Sequence, residues 1–168
     1  MLSRTVMRAL AMNGYGLKQV GLVELPDPHP GPGEVLVRVH AAALNRLDLW
    51  TSSGSLNIEH RFPHVLGADG AGQVEVVGEG SSGAMRGAAV FVNPGLSCGK
   101  CEYCRSGEQS LCTSFRLLGE HVNGTFAELV AVPAGNVYAV PEQLSMKEAA
   151  VLGVTFATAY RMLFTRGG

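Results

Sequence analysis

The sequence has little charge for its length: 16% of its 168 residues are Asp, Glu, Lys or Arg, and the formal net charge is -1. That near-neutrality removes the electrostatic reason to expect nucleic acid or an anionic membrane surface as a partner. It also has no apolar run approaching the roughly 20 residues that a bilayer span needs. A secretory signal is missing as well, because residues 1–14 carry Arg4 and Arg8 and lack a continuous apolar core. Those residues read better as a first strand, with Val6, Met7, Ala9 and Leu10 around Arg8. A cytoplasmic protein is the default expectation. Cysteine is scarce, with four residues in all, and none lies outside one short segment.

Glycine and proline are abundant instead. Twenty-two glycines and eight prolines in a chain that is 46% hydrophobic point to many strands and tight turns. The length fits one domain, or one domain plus a fragment.

The four cysteines form the segment Cys98-Gly-Lys-Cys101-Glu-Tyr-Cys104-Arg-Ser-Gly-Glu-Gln-Ser-Leu-Cys112, spaced C-x2-C-x2-C-x7-C. Two-residue gaps let successive thiolates turn toward one point, where a tetrahedral zinc accepts four sulfurs at about 2.3 Å. Gly99 and Gly107 relieve the turns, and Lys100 and Arg105 offset the charge of a four-thiolate site. Two disulfides would need an oxidising compartment that nothing in the sequence suggests. A redox-active C-x-x-C pair leaves the other two cysteines without a purpose. Four protein ligands leave no open position, so the expected zinc is structural.

Strand-like runs cover residues 5–11, 20–25, 34–42, 73–77, 88–93, 126–132 and 136–140, with Pro/Gly punctuation between several of them. They predict a mainly β fold, barrel-like, with a few helices. A short helix fits from Arg46 to Ser53, ended by Gly54. A longer one should begin at Ser145, where Ser145 and Glu148 make the S-x-x-E capping box. From 149 to 164 it is apolar nearly all round, as in a helix meant to be buried, and nothing in the sequence obviously covers its second face. Gly78-Glu-Gly80-Ser-Ser-Gly83 matches G-x-G-x-x-G, but it leads into the strand at 88–93 rather than a helix. A glycine-rich turn is therefore the better reading than a phosphate loop.

Beyond the cysteine loop, the sequence carries Gly33-Glu-Val-Leu-Val-Arg-Val, Ala43-Leu-Asn-Arg-Leu-Asp48, Pro63-His-Val-Leu-Gly-Ala-Asp-Gly-Ala-Gly72 and Gly124-Thr-Phe-Ala-Glu128. With Pro94-Gly-Leu-Ser-Cys98 they resemble the N-terminal, GroES-like domain of the zinc-type alcohol dehydrogenases, in the medium-chain dehydrogenase/reductase superfamily. The resemblance covers essentially the whole chain. It implies a partly open β-barrel over residues 1–144 with a structural zinc lobe at 94–116. The apolar helix of 145–168 would then lead toward a Rossmann domain that binds NAD(H) or NADP(H) and is absent from this chain.

The same resemblance exposes a departure. Alcohol dehydrogenases of this type hold a second, catalytic zinc with a Cys, a His and a further Cys, near a Glu. The matching positions are Asn45, Ala68 and Val154, with Asp69 in the glutamate's place. All four cysteines are already committed, and His64, Asp69, Asp48 and His121 match no ligand pattern. Quinone and enone reductases of the superfamily lack the second zinc and carry Asn at the position of Asn45. The resemblance thus implies an NAD(P)H-dependent reductase of quinones, enones or similar carbonyls. Asn45 would orient substrate or nicotinamide, Asp48 would organise the loop, Arg46 would meet the pyrophosphate and Thr155 would approach the nicotinamide.

Plainer readings stand beside these. Asn45 suits a helix cap, Arg46 a solvated surface charge, and Thr155 a hydroxyl returned to its own helix. Asp48 is more structural than catalytic, and Trp50 and Tyr160 suit either a pocket wall or the core. Two other functions stay open: an alcohol dehydrogenase with an unconventional metal site, and a non-enzymatic zinc-binding interaction module. The expected partners are a small-molecule substrate and, in an oligomer, further copies of the chain.

Overall fold

The computed structural model describes residues 6–81, 83 and 86–167. In chain order its strands are β1 (Val6–Met12), β2 (Val20–Pro26), β3 (Glu34–Ala43), β4 (His64–Val65) and β5 (Asp69–Val77), then β6 (Ala89–Val92), β7 (Gly95–Leu96), β8 (Arg116–Leu117), β9 (Leu129–Pro133) and β10 (Val137–Ala139). The helical pieces are short: α1 (Arg46–Ser53), α2 (Glu102–Arg105), α3 (Met146–Ala149) and α4 (Ala157–Tyr160).

β3 is the hub. Its run Val35-Leu36-Val37 does not alternate with polar residues, which suits a strand buried on both faces. Val35 and Val37 join Val74, Val90, Val92 and Leu118 in the main core cluster. Leu36 packs on the other side with Met7 and Leu129. β3 pairs antiparallel with β5 and with β9, at the centre of a sheet ordered β10-β6-β5-β3-β9. A second sheet runs β2-β1-β4. The two join ahead of β9, where the Leu10 N–H donates to Phe126 O at 2.7 Å and the Glu128 N–H donates to Arg8 O at 3.0 Å. The result is the mainly β, partly open barrel that the sequence predicts.

Most expected strands fall within one or two residues of the observed ones, but two do not. β5 begins at Asp69 rather than at 73. Asp69-Gly-Ala-Gly72 lies outside the expected strand, yet its glycines serve a close approach: a Cβ on Gly72 would lie 1.9 Å from the Arg38 carbonyl oxygen of β3. β9 begins at Leu129 rather than at 126, because the residues before it cross over to bridge β1. The glycine-rich turn after β5 starts no helix among the described residues; residues 82, 84 and 85 of that stretch lie outside them.

The terminal helix starts where the capping box places it. Ser145 Oγ accepts the Glu148 N–H at 3.3 Å, and a Glu148 carboxylate oxygen accepts the Ser145 N–H at 2.8 Å. It then departs from the single buried helix expected from the sequence. α3 ends at Ala149, and the chain continues as two π-wound segments, Leu152–Phe156 and Arg161–Arg166, on either side of α4. The first break has a tertiary cause: the Val154 N–H donates to the Asp69 side chain at 2.7 Å instead of closing a helical turn. Nor is the segment buried. Ala149, Ala150 and Gly153 are, whereas Phe156, Tyr160, Leu163 and Phe164 reach 56–70% exposure. No helix among the described residues is long and apolar enough to cross a membrane.

Candidate functional site

The cysteine segment folds as a lobe whose base is the two-stranded pair of β7 and β8. Cys101 is the N-cap residue of α2, which carries Cys104, and a 3-10 turn at Gln109–Leu111 delivers Cys112. All four Sγ atoms lie within 4.8 Å of one another. Cys101 and Cys104 are 3.5 Å apart, and Cys98 and Cys104 are 3.9 Å apart. Four sulfurs at about 2.3 Å from a tetrahedral zinc would be separated by about 3.8 Å, whereas a disulfide needs about 2.0 Å. The geometry therefore fits one ion held by four cysteines, and none of them is disulfide-bonded.

Backbone donors support the sulfurs. The Cys98 and Ser114 N–H groups donate to Cys112 Sγ at 3.3 and 3.4 Å, and the Cys101 N–H donates to Cys98 Sγ at 3.4 Å. Hydrogen bonding, chiefly from the Cys104 backbone, brings the Cys101 thiol down to about 6, while burial pushes Cys104 up to about 11. Such a set takes up a cation by releasing protons. Among the described residues these cysteines are the only group of three or more His, Cys, Asp or Glu side chains arranged to hold a metal.

The second constellation gathers where β3, α1, β5 and the first π-wound segment meet. Asn45 is the N-cap residue of α1 and Gly54 ends that helix in the left-handed region, at φ 76°. Asn45 and Asp48 are arranged as a capping box, although the Asn45 amide makes no hydrogen bond of full geometry to the helix N–H groups. Its Nδ2 donates to Asp69 Oδ2 at 2.9 Å. Asp69 Oδ1 accepts the Val154 N–H, so this one carboxylate joins Asn45 to the terminal helix. Asp69 is 1% exposed, and that burial raises its pKa above the usual carboxylate range. Gly153 leaves it room, since a Cβ there would lie 2.3 Å from Asp69 Oδ1.

Asp48 works as a brace. One of its oxygens accepts the Asn45 N–H at 2.6 Å and the other accepts the Gly67 N–H at 3.2 Å. These bonds tie α1 to the loop before β5. Burial likewise raises its pKa. Thr155 is exposed, and its hydroxyl donates to Asn45 Oδ1 at 3.4 Å. Arg46 lies exposed on the first turn of α1 and makes no ion pair among the described residues. Asn45, Asp48 and Thr155 are thus brought together, with Arg46 beside them.

The three positions matched to catalytic-zinc ligands also converge here, as an amide, a buried alanine and a backbone N–H around Asp69. His64 and His121 take no part: the His64 Nε2–H donates to Gly119 O at 3.1 Å, and His121 Nδ1 accepts the Leu117 N–H at 3.1 Å. Trp50 and Tyr160 are both about half exposed, so neither is core. A cleft of about 340 Å³ between the lobe and the terminal helix is lined by Gln109, Phe115, Val154 and Arg161. Glu108 of the lobe accepts from Arg161 and, at 2.7 Å, from Arg166 of the terminal segment. The linking role of Asp69 was not evident from the sequence. The available signal was an acid flanked by Ala68 and Gly70 with no cation near it in the chain.

Comparison with known proteins agrees with this architecture. Residues 31–142 match the family described as alcohol dehydrogenase GroES-like domain. The NAD-dependent alcohol dehydrogenase of Sulfurisphaera tokodaii is 35% identical over 162 residues, covering 92% of this chain and 46% of that protein. Among solved structures, an NAD-dependent alcohol dehydrogenase superposes with TM-score 0.91 at 47% identity, over 95% of this chain and 47% of that one. A crotonyl-CoA carboxylase/reductase superposes with TM-score 0.88 at 31% identity, over 96% of this chain and 40% of that one. The chain spans less than half the length of the relatives it matches. On its sequence match and its fold, the chain belongs to the alcohol dehydrogenase GroES-like domain family.

Proposed function

We propose that this chain is the substrate-side domain of an NAD(P)(H)-dependent oxidoreductase that reduces quinones, enones or related activated carbonyls without a catalytic zinc. The observation that carries the reading is the Asn45–Asp69–Val154 junction, where a carboxylate is satisfied by an amide and a backbone N–H. Oxidising an alcohol calls for an alkoxide-like state, which a metal favours as a Lewis acid. Such an ion lowers the pKa of bound water from about 15.7 to about 7, and an amide cannot match that. Reducing a double bond conjugated to a carbonyl asks less of the protein. The charge that develops spreads onto the carbonyl oxygen, where hydrogen-bond donors stabilise it.

A reduced nicotinamide, when bound, supplies the hydride that adds at the β-carbon. The chain's own residues hold the reactants. Asn45 orients substrate or nicotinamide, Asp48 fixes the loop behind it, and the exposed Thr155 hydroxyl faces the nicotinamide. Arg46 is free to meet a pyrophosphate. Cys98, Cys101, Cys104 and Cys112 hold a structural zinc that touches no reactant. The crotonyl-CoA carboxylase/reductase among the relatives favours a reductase, as its name states.

A second reading is favoured by the 47% identity to an NAD-dependent alcohol dehydrogenase: an alcohol dehydrogenase with an unconventional metal site. Elemental analysis of the purified full-length enzyme separates the two. About one zinc per chain, with enone or quinone reduction in a substrate panel, supports the first. Two zinc ions per chain, with activity lost as the second is removed, would overturn it.

A further inference from the structure

The junction at Asn45 has a polarity. An ionised carboxylate only accepts hydrogen bonds, whereas an Asn side chain has donors at one end and an acceptor at the other. Asp69 therefore dictates which end of Asn45 faces inward. Nδ2 donates to Asp69 Oδ2 at 2.9 Å, and its other hydrogen faces the Ala43 carbonyl at 3.5 Å. Both inward partners are acceptors, so the donor end is used up. Oδ1 is left facing the Thr155 hydroxyl, 3.4 Å away, and the Asp48 N–H of the capping box, with which it makes no hydrogen bond of full geometry. Asp69 cannot easily swing aside, because the Val154 N–H holds its other oxygen and Gly153 closes against it.

We infer that Asp69 is a positioning residue that locks the Asn45 amide with Oδ1 outward, so that the site takes an N–H or O–H donor from the bound molecule. The assignment of a ligand rests on the oxidoreductase reading above; the orientation of Asn45 does not. In that reaction the donor has two sources. One is the carboxamide NH2 of the nicotinamide, and the other is a hydroxyl of the substrate or product. A bare quinone or enone carbonyl offers only an acceptor and does not satisfy Asn45.

The test is Asp69→Asn, a substitution of equal shape. With its oxygen kept on the Val154 N–H, Asn at 69 presents NH2 to Asn45 and forces that amide to turn over. NMR of the 168-residue chain should show the wild-type Asn45 side-chain NH2 protons close to Ala43 and Asp69. In D69N they should lie close to Thr155. Wild-type protons already facing Thr155 would overturn the inference, as would an unchanged amide in folded D69N. If D69N fails to fold, the wild-type measurement decides alone.

The ligand follows from kinetics of the full-length enzyme with a cofactor analogue whose acetyl group replaces the carboxamide, deleting the N–H donor. If the nicotinamide is the donor, wild type should lose about tenfold in KM with the analogue, the scale of one unpaired polar group. D69N should abolish that preference. If the donor is a hydroxyl, D69N should leave the cofactor preference alone and raise KM for the hydroxylated reactant. No change in either would overturn the donor assignment while leaving the reductase reading intact.

Discussion

Replacing Gly153 with Ala tests the junction around Asp69 through stability alone. Backbone conformation is no obstacle, since Gly153 is not among the positive-φ glycines. On helix propensity, the change should stabilise by about 1 kcal/mol. The surroundings oppose it: the new Cβ would lie 2.3 Å from Asp69 Oδ1, 2.9 Å from the Val92 carbonyl oxygen and 3.0 Å from Pro94 Cδ. Two of these neighbours are backbone or ring atoms that cannot step aside. If Asp69 stays, overpacking costs about 1–3 kcal/mol. If it rotates away, the Asn45 and Val154 donors lose bonds to a carboxylate, at about 1.5–3 kcal/mol each. The cheaper route centres on about 2 kcal/mol, so after the propensity gain G153A should destabilise by about 1 kcal/mol. For a chain of this size that corresponds to a fall in Tm of about 2–4 °C.

Urea unfolding followed by the single tryptophan, Trp50 in α1, reads the change directly. Gly135→Ala is the control, because a Cβ there meets nothing within 4 Å and should shift stability by less than about 0.5 kcal/mol. A G153A chain as stable as wild type would refute the steric argument. A destabilised chain with slow exchange at the Val154 amide would mean that Asp69 stays and is overpacked, and faster exchange there that it rotates away.

Chelation or Cys104→Ser should collapse amide protection across 98–112 while leaving that of β3, β5 and β9 in place, because no cysteine belongs to the core clusters; hydrogen exchange checks this. Loss of sheet protection at the same rate would show that the lobe and the barrel form one unit. Stability should also carry opposing pH signatures. Asp48 and Asp69 have raised pKa values through burial. Their charged forms penalise the fold above those values, and the penalty is relieved as pH falls through them. Glu108 and Glu128 are lowered, chiefly by hydrogen bonds with arginine, and Glu148 by its cap. Their contribution is present above the ordinary Glu range and fades as pH drops through the lowered values. D69N should therefore reduce any gain in unfolding free energy as pH falls through the raised value of Asp69. An unaltered pH profile would contradict the assignment of a raised pKa to Asp69.

Much of this was legible in the residues. The C-x2-C-x2-C-x7-C spacing placed the sulfurs correctly, because ligand geometry is local to the loop. The Asn45 start and Gly54 stop of α1 and the Ser145–Glu148 box were equally local signals. What failed depended on distant partners. β5 was cut short because Asp69, Gly70 and Gly72 are poor strand formers on propensity, and the close passage of β3 at Gly72 is not visible locally. The terminal helix was expected to be continuous, since no local feature shows that the Val154 N–H would choose Asp69, 85 residues away. Asn45 does occupy the cap position, in a capping box with Asp48, and only its further bond to Asp69 was not legible.

The placement of β3 bears on how the chain can be made. Its partner β5 follows within some 30 residues, but its other partner, β9, is synthesised only about a hundred residues later, with Val35 pairing Val132. Until then a strand rich in valine presents an unpaired edge, the kind of surface that recruits other chains. At about 5–20 residues per second the exposure lasts several seconds on the ribosome. Slower translation between β5 and β9 should lower the soluble yield, and a chain stopped before Leu129 should aggregate.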